Sequence, residues 1–314
     1  MKKLSIITPC FNEESNVEIC ALELRKVMVE FLPQYDYEHI FADNSSTDFT
    51  LINLRELAKN DKRIKVISNS RNVGPFRNMW NAMKSSTGDA VIPLLPADLQ
   101  DPPNIIPLFV KNWEEGFLVT YGIRSNRQES LFFRILRGTY YRLIRKFASE
   151  SIPINSGEFL LADRKVIDSI LAVDDQYPYI RGLIAQTSVP SASVKYTWNK
   201  REQGKSKNSF LSLIDQAING FVSTSRVPAR LALLGGFILS LLGVGYAIVT
   251  ALLVLFTPIS VTAGIPTIIV GIFLLGGVQL LFLGLIGEYI LSIHGQVRRM
   301  PPMFETERIN FEPD

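Results

Sequence analysis

Residues 93–103 read Pro93-Leu94-Leu95-Pro96-Ala97-Asp98-Leu99-Gln100-Asp101-Pro102-Pro103, an apolar run that ends abruptly in two carboxylates, an amide and two prolines. The run begins at Ala90, after a Gly88-Asp89 turn signal, and is typical of a buried strand. In open α/β sheets ligands bind beyond the carboxyl ends of the strands, where carboxylates can hold a hard divalent cation. Asp98 and Asp101 could instead cap a helix that begins near Asn104, and this stretch alone favours neither interpretation.

Strands and helices alternate along the first hundred residues. Apolar runs bounded by turn signals predict the strands, and apolar residues at helical spacing predict the helices between them. The predicted strands are Leu4–Thr8, Tyr37–Ala42, Ile64–Ser68 and the run from Ala90, and the predicted helices are one opened by Phe11-Asn12-Glu13-Glu14, Leu51–Ala58 and Gly74–Ser86. Four alternations predict an α/β fold with a doubly wound, mostly parallel, Rossmann-like sheet. Two strands end in acidic loops, at Asp43 and Asp98, and both loops would lie along the same edge of the sheet.

Composition and charge exclude several classes of function and catalytic mechanism. The 314 residues are 47% hydrophobic and 20% charged, with a net charge of +3 that argues against a general nucleic-acid binder. Cys10 and Cys20 are not spaced like metal ligands. The chain has only two histidines, His39 and His294, which makes a Ser-His-Asp or Cys-His catalytic mechanism improbable. Any acid–base work therefore falls to carboxylates. The N-terminal apolar run is too short for a signal peptide, so we expect the first domain to stay in the cytosol.

The excess of apolar residues lies almost entirely after Arg230. Residues 231–256 and 265–287 contain no charge, and at about 1.5 Å per residue each can cross a hydrocarbon core of about 30 Å. Arginines flank both ends of the pair, which predicts a transmembrane hairpin with both ends in the cytosol. An apolar stripe within residues 205–228 predicts an interfacial amphipathic helix. The predicted order is a cytosolic domain (1–204), this helix, the hairpin (229–290) and a cytosolic tail (291–314), which we expect to be loosely ordered from Met300.

Basic and aromatic residues alternate between Gly122 and Ala148. Such a stretch could bind nucleic acid or lie on anionic lipid, and the apolar segments downstream favour lipid. Arg124 and Arg127 stand at the end of a predicted strand, Phe117–Tyr121, where guanidinium groups suit a phosphate.

The order of the polar motifs resembles a known family. The first five motifs are Thr8-Pro9-Cys10-Phe11-Asn12-Glu13-Glu14, Asp43-Asn44-Ser45-Ser46-Thr47-Asp48, Ser70-Arg71-Asn72-Val73-Gly74, Thr87-Gly88-Asp89 and Ala97-Asp98-Leu99-Gln100-Asp101-Pro102-Pro103. They occur in the order found in inverting family 2 glycosyltransferases of the GT-A fold. Three later features resemble the polyprenyl-phosphate glycosyltransferases. They are Gly157-Glu158-Phe159-Leu160-Leu161-Ala162-Asp163-Arg164, Arg201-Glu202-Gln203-Gly204-Lys205-Ser206-Lys207 and the terminal hairpin. That subgroup includes dolichol-phosphate mannose synthase and the bacterial undecaprenyl-phosphate (bactoprenol) glucosyltransferases.

The resemblance implies an activity and a place for it. It implies transfer of glucose or a related hexose, with inversion, from a nucleotide-diphosphate sugar, expected to be UDP-linked, to a polyprenyl phosphate such as undecaprenyl phosphate. The enzyme would lie in the bacterial inner membrane with its catalytic domain and both termini in the cytosol. It would use Mg²⁺ or Mn²⁺, bind no nucleic acid, and form a homo-oligomer, a tetramer in that family.

The resemblance also implies roles for individual residues. The catalytic set comprises Asp98, Glu158, Arg124 and Arg127. The nucleotide-sugar donor would be held by Pro9, Asn12, Glu13, Asp43, Asn44, Arg71, Asp98, Arg201 and Lys207. The metal ion would be held by Asp98 and Gln100.

Four positions depart from the pattern of the family. Pro96 replaces the first Asp of the usual Asp-x-Asp pair, Asn44 replaces an Asp that pairs with the base, Glu158 replaces an Asp, and Leu160 replaces an Arg. Because Pro96 removes one carboxylate, we expect weaker metal binding in the absence of donor. The first three departures motivate an alternative, a catalytically weakened sugar-nucleotide-binding or scaffold subunit of a membrane glycan assembly complex. A processive polysaccharide synthase is disfavoured because the chain has no Gln-x-x-Arg-Trp run and too few helices for a translocation channel.

Overall fold

The computed structural model describes residues 1–125, 153, 156–173, 175, 178–198, 265–297 and 303–311, together with helical positions between 235 and 256. The chain divides into two compact units. The first comprises Met1–Arg145, Glu150–Asn208 and Arg299–Asp314, and the second comprises Lys146–Ser149 and Ser209–Arg298.

The first unit is built on a sheet that has eight strands within the described residues. The strands are β1 (Lys3–Cys10), β2 (Asp36–Asp43), β3 (Ile64–Asn69), β4 (Ala90–Ile92), β5 (Val119–Ser125), β6 (Ser156–Asp163), β7 (Ser191–Thr197) and β8 (Glu305–Ile309). Their order across the sheet is β7-β5-β6-β4-β1-β2-β3-β8. Strands β1 to β4 are parallel, as are β5 and β7, whereas β6 runs antiparallel to β4 and β5, and β8 antiparallel to β3. The sheet is mixed and mostly parallel, which confirms the predicted α/β class.

Strand directions place many strand ends on one edge of the sheet. This edge receives the carboxyl ends of β1, β2, β3, β4, β5 and β7 and the amino ends of β6 and β8. We call it the carboxyl edge. Every candidate site residue that the structure describes lies on or next to it.

Helices cover both faces of the sheet. They are α1 (Val17–Phe31), α2 (Thr50–Asn60), α3 (Pro75–Lys84), α4 (Ile106–Glu114), α5 (Arg164–Leu171) and α6 (Ile180–Gln186), and a 3₁₀ turn, Pro103–Ile105, leads into α4. Alternation along a strand decides which face a side chain enters. Leu4 and Ile6 of β1 are buried under α1 and α4, whereas Ile7 is buried under α3 and α5. Apolar residues on both faces of β1 are what a central strand of a doubly wound sheet requires.

Helix α1 begins at Val17, six residues later than the Phe11 start predicted from sequence. Asn12 has a φ of 57°, in the left-handed region that asparagine tolerates better than most residues. The N–H of Asn12 donates to Oγ of Ser46 in the loop after β2, and the N–H of Glu13 donates to Oγ1 of Thr50, the first residue of α2. A residue in the left-handed region cannot continue an α-helix, so the helix begins after this turn.

The prediction of a loosely ordered tail is wrong for residues 303–311. Strand β8 pairs with β3, and the N–H of Ser70 donates to the carbonyl of Phe304 at 2.9 Å. Glu307 forms a bidentate ion pair with Arg55 of α2, and the Asn310 amide donates to two backbone carbonyls, those of Ala58 and Ile64. Without β8, β3 would present a row of unpaired backbone groups, a liability that folded sheets cover or pair.

The second unit contains a further helix, α7 (Ile265–Val297), and helical residues between 235 and 256. A Cβ placed on Gly235 or Gly236 would lie 3.8 Å from the ring of Phe282 in α7, so these small residues lie beside that ring. Counting only the residues that the structure describes, none of the helices combines the length and the apolar character that a membrane span needs. The amphipathic helix predicted for residues 205–228 lies outside the described residues, and the transmembrane hairpin stays a prediction.

Candidate active site

The loops after β1 and β2 are joined by side-chain to backbone hydrogen bonds at the carboxyl edge. The Oδ1 atom of Asn12 accepts from the N–H of Thr47 at 2.8 Å, and the N–H of Glu13 donates to Oγ1 of Thr50 at 2.8 Å. The Glu13 carboxylate accepts from the Asn16 amide at 2.6 Å. Asn12 and Glu13 therefore shape the loop that begins beside Pro9, whose position in β1 is opposite Ala42 of β2. Their direct contact with a nucleotide stays a prediction.

Asp43 is fully buried at the end of β2. Its carboxylate accepts from the N–H of Ser46 at 3.2 Å and from the hydroxyl of Ser68 at 2.9 Å. The Asp43 side chain therefore makes the turn at the end of β2. A carboxylate held by a donor from its own loop and a donor from β3 fixes the start of the loop that follows β2.

Asn44 uses both ends of its amide within the protein. Its Nδ2 donates to Oδ1 of Asn72 at 2.9 Å, and its Oδ1 accepts from the N–H of Val73 at 2.9 Å. The same Asn72 oxygen accepts from the N–H of Gly74 at 2.9 Å. A carboxylate at position 44 could not donate to Asn72. The departure from the family pattern therefore ties the loop after β2 to the loop after β3, which carries the exposed Arg71.

The loop after β4 makes a tight turn around Asp98. The N–H of Leu99 donates to the carbonyl of Pro96 at 3.0 Å, and the N–H of Gln100 donates to the Asp98 carboxylate at 3.2 Å. Leu99 adopts a φ of 53°, and Asp98 and Gln100 are both partly exposed. The turn places one carboxylate and one amide side chain, two residues apart in sequence, at the carboxyl edge.

This donor set fits a hard divalent ion only with help from a substrate. Within the described residues there is no group of three or more His, Cys, Asp or Glu side chains that could hold a metal. Mg²⁺ is commonly bound through one or two carboxylates plus substrate phosphates and water, and Mn²⁺ also prefers oxygen ligands. Asp98 and Gln100 meet that lower requirement, and Pro96 contributes no side-chain ligand.

Neither Asp98 nor Asp101 caps the following helix. The 3₁₀ turn is preceded by Pro102 and has no side-chain cap, so that interpretation of the two carboxylates is wrong. Asp101 is instead 1% exposed and forms a bidentate ion pair with Arg124, with Nε to Oδ1 at 2.9 Å and Nη2 to Oδ2 at 2.6 Å. The hydroxyl of Tyr196 donates to the same Oδ1 at 2.5 Å.

Glu158 lies buried near the amino end of β6, on the same edge. It is 8% exposed, and within the described residues no donor lies within hydrogen-bonding distance of its Oε2. Burial raises the pKa of Glu158, and the charges of Arg181 and Arg124 act in the opposite direction. A carboxyl group with a raised pKa binds a proton more readily than an ordinary glutamate, which suits a general base.

The structure brings most of the predicted site residues together. The predicted site residues that lie at the carboxyl edge are Pro9, Asn12, Glu13, Asp43, Asn44, Arg71, Asp98, Gln100, Arg124 and Glu158. Arg127, Arg201 and Lys207 lie outside the described residues, so their roles stay predictions. Sequence reasoning missed Asn72 and Tyr196, and it missed the pairing of Asp101 with Arg124. Asn72 and Asp101 belong to motifs that carried the resemblance, whereas nothing near Tyr196 in sequence marks its pairing with Arg124.

Comparison with known proteins places this geometry in a family. Residues 5–171, which run from β1 to the end of α5 and make up more than half of the chain, match the model of the family described as glycosyl transferase family 2. The chain belongs to glycosyl transferase family 2. Among its relatives in that family, the uncharacterized glycosyltransferase YkcC of Bacillus subtilis is 33% identical, over 95% of this chain and 91% of the relative.

A second relative carries a more specific name. The bactoprenol glucosyl transferase of Shigella phage SfX is 31% identical, over 95% of this chain and 97% of the relative. A solved structure, glucosyl-3-phosphoglycerate synthase from Mycobacterium tuberculosis in complex with Mn²⁺, UDP-glucose and phosphoglyceric acid, is similar with a TM-score of 0.48 and 20% identity. That likeness covers 71% of this chain and 79% of the synthase.

Proposed function

We propose that this family 2 enzyme transfers glucose or a related hexose, with inversion, from a UDP-sugar to a polyprenyl phosphate such as undecaprenyl phosphate. The observation that carries the proposal is the composition of the carboxyl edge. The loops after β1 to β4 supply a donor-binding side, and the ends of β5 and β6 supply a second side with a guanidinium and a buried carboxyl group. An enzyme that joins a nucleotide sugar to a phosphate needs both sides within reach of one reacting carbon.

On the donor side, Asp43, Asn44 and Arg71 would hold the nucleotide, together with Arg201 and Lys207. Asp98 and Gln100 would hold Mg²⁺ or Mn²⁺. When bound, such an ion offsets the negative charge that develops on the departing diphosphate. Arginine side chains suit the diphosphate because their planar donor groups match phosphate oxygens.

On the acceptor side, an oxygen of the lipid phosphate attacks the anomeric carbon of the sugar. The attack comes from the face opposite the nucleotide, the bond from that carbon to the UDP oxygen breaks, and its electron pair leaves with UDP. Arg124 and Arg127 hold the attacking phosphate. Because a phosphate monoester loses its second proton at a pKa of about 6, the acceptor is largely doubly charged near neutral pH. Glu158, with its raised pKa, takes the proton from acceptor molecules that arrive singly protonated.

The membrane part of the proposal rests on the sequence and on one relative. Two uncharged segments, residues 231–256 and 265–287, would anchor the enzyme as a hairpin in the bacterial inner membrane, with the catalytic domain in the cytosol. The name of the Shigella phage relative supports a bactoprenol acceptor. An acceptor whose tail lies in the bilayer explains why the catalytic domain is joined to such segments. The enzyme would act as a homo-oligomer.

A second function is favoured by specific departures at the site. Pro96 removes a carboxylate from the metal loop, and the Asn44 amide is bonded to Asn72 and Val73. A catalytically weakened donor-binding or scaffold subunit would show both features. It would bind a UDP-sugar without turnover.

The deciding experiment is transfer by the detergent-purified full chain to undecaprenyl phosphate. A panel of UDP- and GDP-sugars is supplied with Mg²⁺, with Mn²⁺ or with chelator. We expect metal-dependent glycolipid formation from one UDP-sugar. Binding of UDP without formation of glycolipid from any donor would favour the scaffold function instead.

Asp98→Ala tests the site within the same assay. We expect it to lower transfer at least about a hundredfold, because the leaving diphosphate would lose its charge compensation. Asp168→Ala is the matched control, since Asp168 is an exposed carboxylate on α5 that pairs with Arg164. Full activity of Asp98→Ala would show that the metal site is placed wrongly.

A further inference from the structure

The ion pair between Asp101 and Arg124 is more deeply buried than a surface pair. The Arg124 side chain is 18% exposed and that of Asp101 is 1% exposed. Tyr196 donates to Asp101 and also accepts from Nε of Arg124 at 3.3 Å, so the three side chains are mutually bonded. A buried pair with this geometry satisfies both charges, and removal of one partner would leave the other uncompensated.

Neighbouring strands close the space around the Arg124 side chain. Tyr196 of β7 is opposite Arg124 in the parallel register with β5, and its ring packs edge-on against Phe159. The Trp198 ring lies 5.4 Å from Cζ of Arg124. On another side is Gly157, where an added Cβ would be 3.1 Å from Nη2 of Arg124. These neighbours leave the guanidinium little freedom to change rotamer.

The contacts with Asp101 use one side of the guanidinium. The pair is formed by Nε and Nη2, so the Nη1 amino group takes no part in it. Burial and the nearby Asp101 charge both raise the pKa of Tyr196, so its hydroxyl keeps its proton and remains a donor. An arginine held in this way presents its remaining N–H groups to an anion without first losing rotamer freedom.

Asp101 also links the two sides of the proposed site. It directly follows Gln100, so the turn that contains Asp98 leads straight into the residue that holds Arg124. One short loop therefore carries the proposed metal ligands and anchors the proposed acceptor arginine. The separation between donor and acceptor phosphates depends on this loop, and in-line attack tolerates little error in that separation.

We propose that Asp101 and Tyr196 are positioning residues, which fix the Arg124 guanidinium so that Nη1 is available to the acceptor phosphate. This inference rests on the proposed function. It assigns a role to two side chains that need not touch either substrate.

The test compares kinetic constants of full-chain variants with UDP-glucose and undecaprenyl phosphate as probes. Tyr196→Phe removes one hydroxyl and keeps the ring against Phe159. Tyr35→Phe is the matched control, because the Tyr35 hydroxyl also donates to a carboxylate, that of Glu114, at 2.5 Å. We expect Tyr196→Phe to raise the KM for undecaprenyl phosphate about fivefold to tenfold while the KM for UDP-glucose stays within about twofold. Asp101→Asn should act in the same direction and more strongly, and Tyr35→Phe should change neither constant.

Direct binding of undecaprenyl phosphate to the same variants separates the two proposals. If the wild-type protein neither binds nor glycosylates it, the proposed function falls and the positioning role falls with it. If the wild type binds it and Tyr196→Phe binds it equally well with an unchanged acceptor KM, the positioning role alone is overturned. Equal losses of acceptor and UDP binding in Tyr196→Phe would indicate a general folding defect and would also reject the positioning role.

Discussion

Replacing Glu38 with glutamine should lower the free energy of unfolding by about 3 kcal/mol near pH 7. Glu38 lies in β2, away from the carboxyl edge, and is 1% exposed. Its carboxylate accepts from the hydroxyl of Ser5 at 2.6 Å and from the N–H of Thr87 at 2.6 Å, and it forms ion pairs with Lys65 at 2.7 Å and Lys3 at 2.9 Å. The Thr87 hydroxyl also donates to it, at 3.0 Å, so glutamine would keep the shape but would place an amide donor where five donors already point.

The magnitude follows from the protonation of this carboxyl group. Burial alone would raise the pKa of Glu38, but the donors from Lys65, Ser5, Thr87 and Lys3 outweigh it and lower the pKa from 4.5 to about 2. Each pKa unit corresponds to roughly 1.4 kcal/mol, so the charged form stabilises the fold by about 3 kcal/mol. Because the pKa is lower in the folded state, this contribution is complete above about pH 5 and is lost as the pH falls towards 2.

Urea unfolding of the full chain, followed by tryptophan fluorescence, measures the difference between wild type and Glu38→Gln. We expect it to shrink from about 3 kcal/mol near pH 7 to about 2 kcal/mol near pH 3.5, because the wild type loses stability and the variant cannot titrate at this position. Glu23→Gln is the control, since Glu23 forms an exposed pair with Lys26 on α1 and should cost less than about 0.5 kcal/mol. A Glu38→Gln variant as stable as the control, or a difference that does not change with pH, would refute the argument.

Three further predictions concern the site and the sheet. Asn44→Asp should raise the KM for the UDP-sugar several-fold and leave the acceptor KM unchanged, because a carboxylate cannot donate to Asn72; an unchanged donor KM in initial-rate assays would contradict this. Gly88→Ala should destabilise the fold by about 1 to 3 kcal/mol in urea unfolding, since the new Cβ would lie 2.6 Å from the Ser5 nitrogen; wild-type stability would argue against the close approach. Deletion of residues 303–314 should lower the melting temperature and promote aggregation on size-exclusion chromatography, because the edge of β3 would be exposed; a monodisperse, equally stable product would show that β8 is dispensable.

Much of the fold is predictable because its signals are local. The strand before Asp98 and the strand before Asp43 are short apolar runs that end in polar loops, and parallel strands bring such loops to one edge. The resemblance of the motifs to the family then indicated which residues on that edge belong to the site. The bounds of these elements shifted, as at α1, where the left-handed conformation of Asn12 keeps the helix from beginning at Phe11.

The remaining features depend on partners far away in sequence. Glu307 and Asn310 belong to a polar tail whose strand conformation exists only because β3 lies beside it. The carboxylate of Asp101 has its partner 23 residues later in Arg124, and Tyr196 lies a further strand away. From sequence, Asn44 is a departure that would weaken contact with the base. In the structure its amide donates to Asn72, a partner that the sequence does not indicate. Periodicity and motif order carry no information on such pairings.

The position of β8 sets an order of events during synthesis. Its five residues, Glu305–Ile309, are translated after every other strand of the described sheet, yet they pair with β3, which is translated early. While the ribosome makes the intervening chain, including the two apolar segments proposed to enter the membrane, β3 keeps an open edge. A nascent domain with an unpaired strand is prone to pair with another chain. Interruption of translation before residue 305 should therefore leave a product that chaperones or proteases must handle.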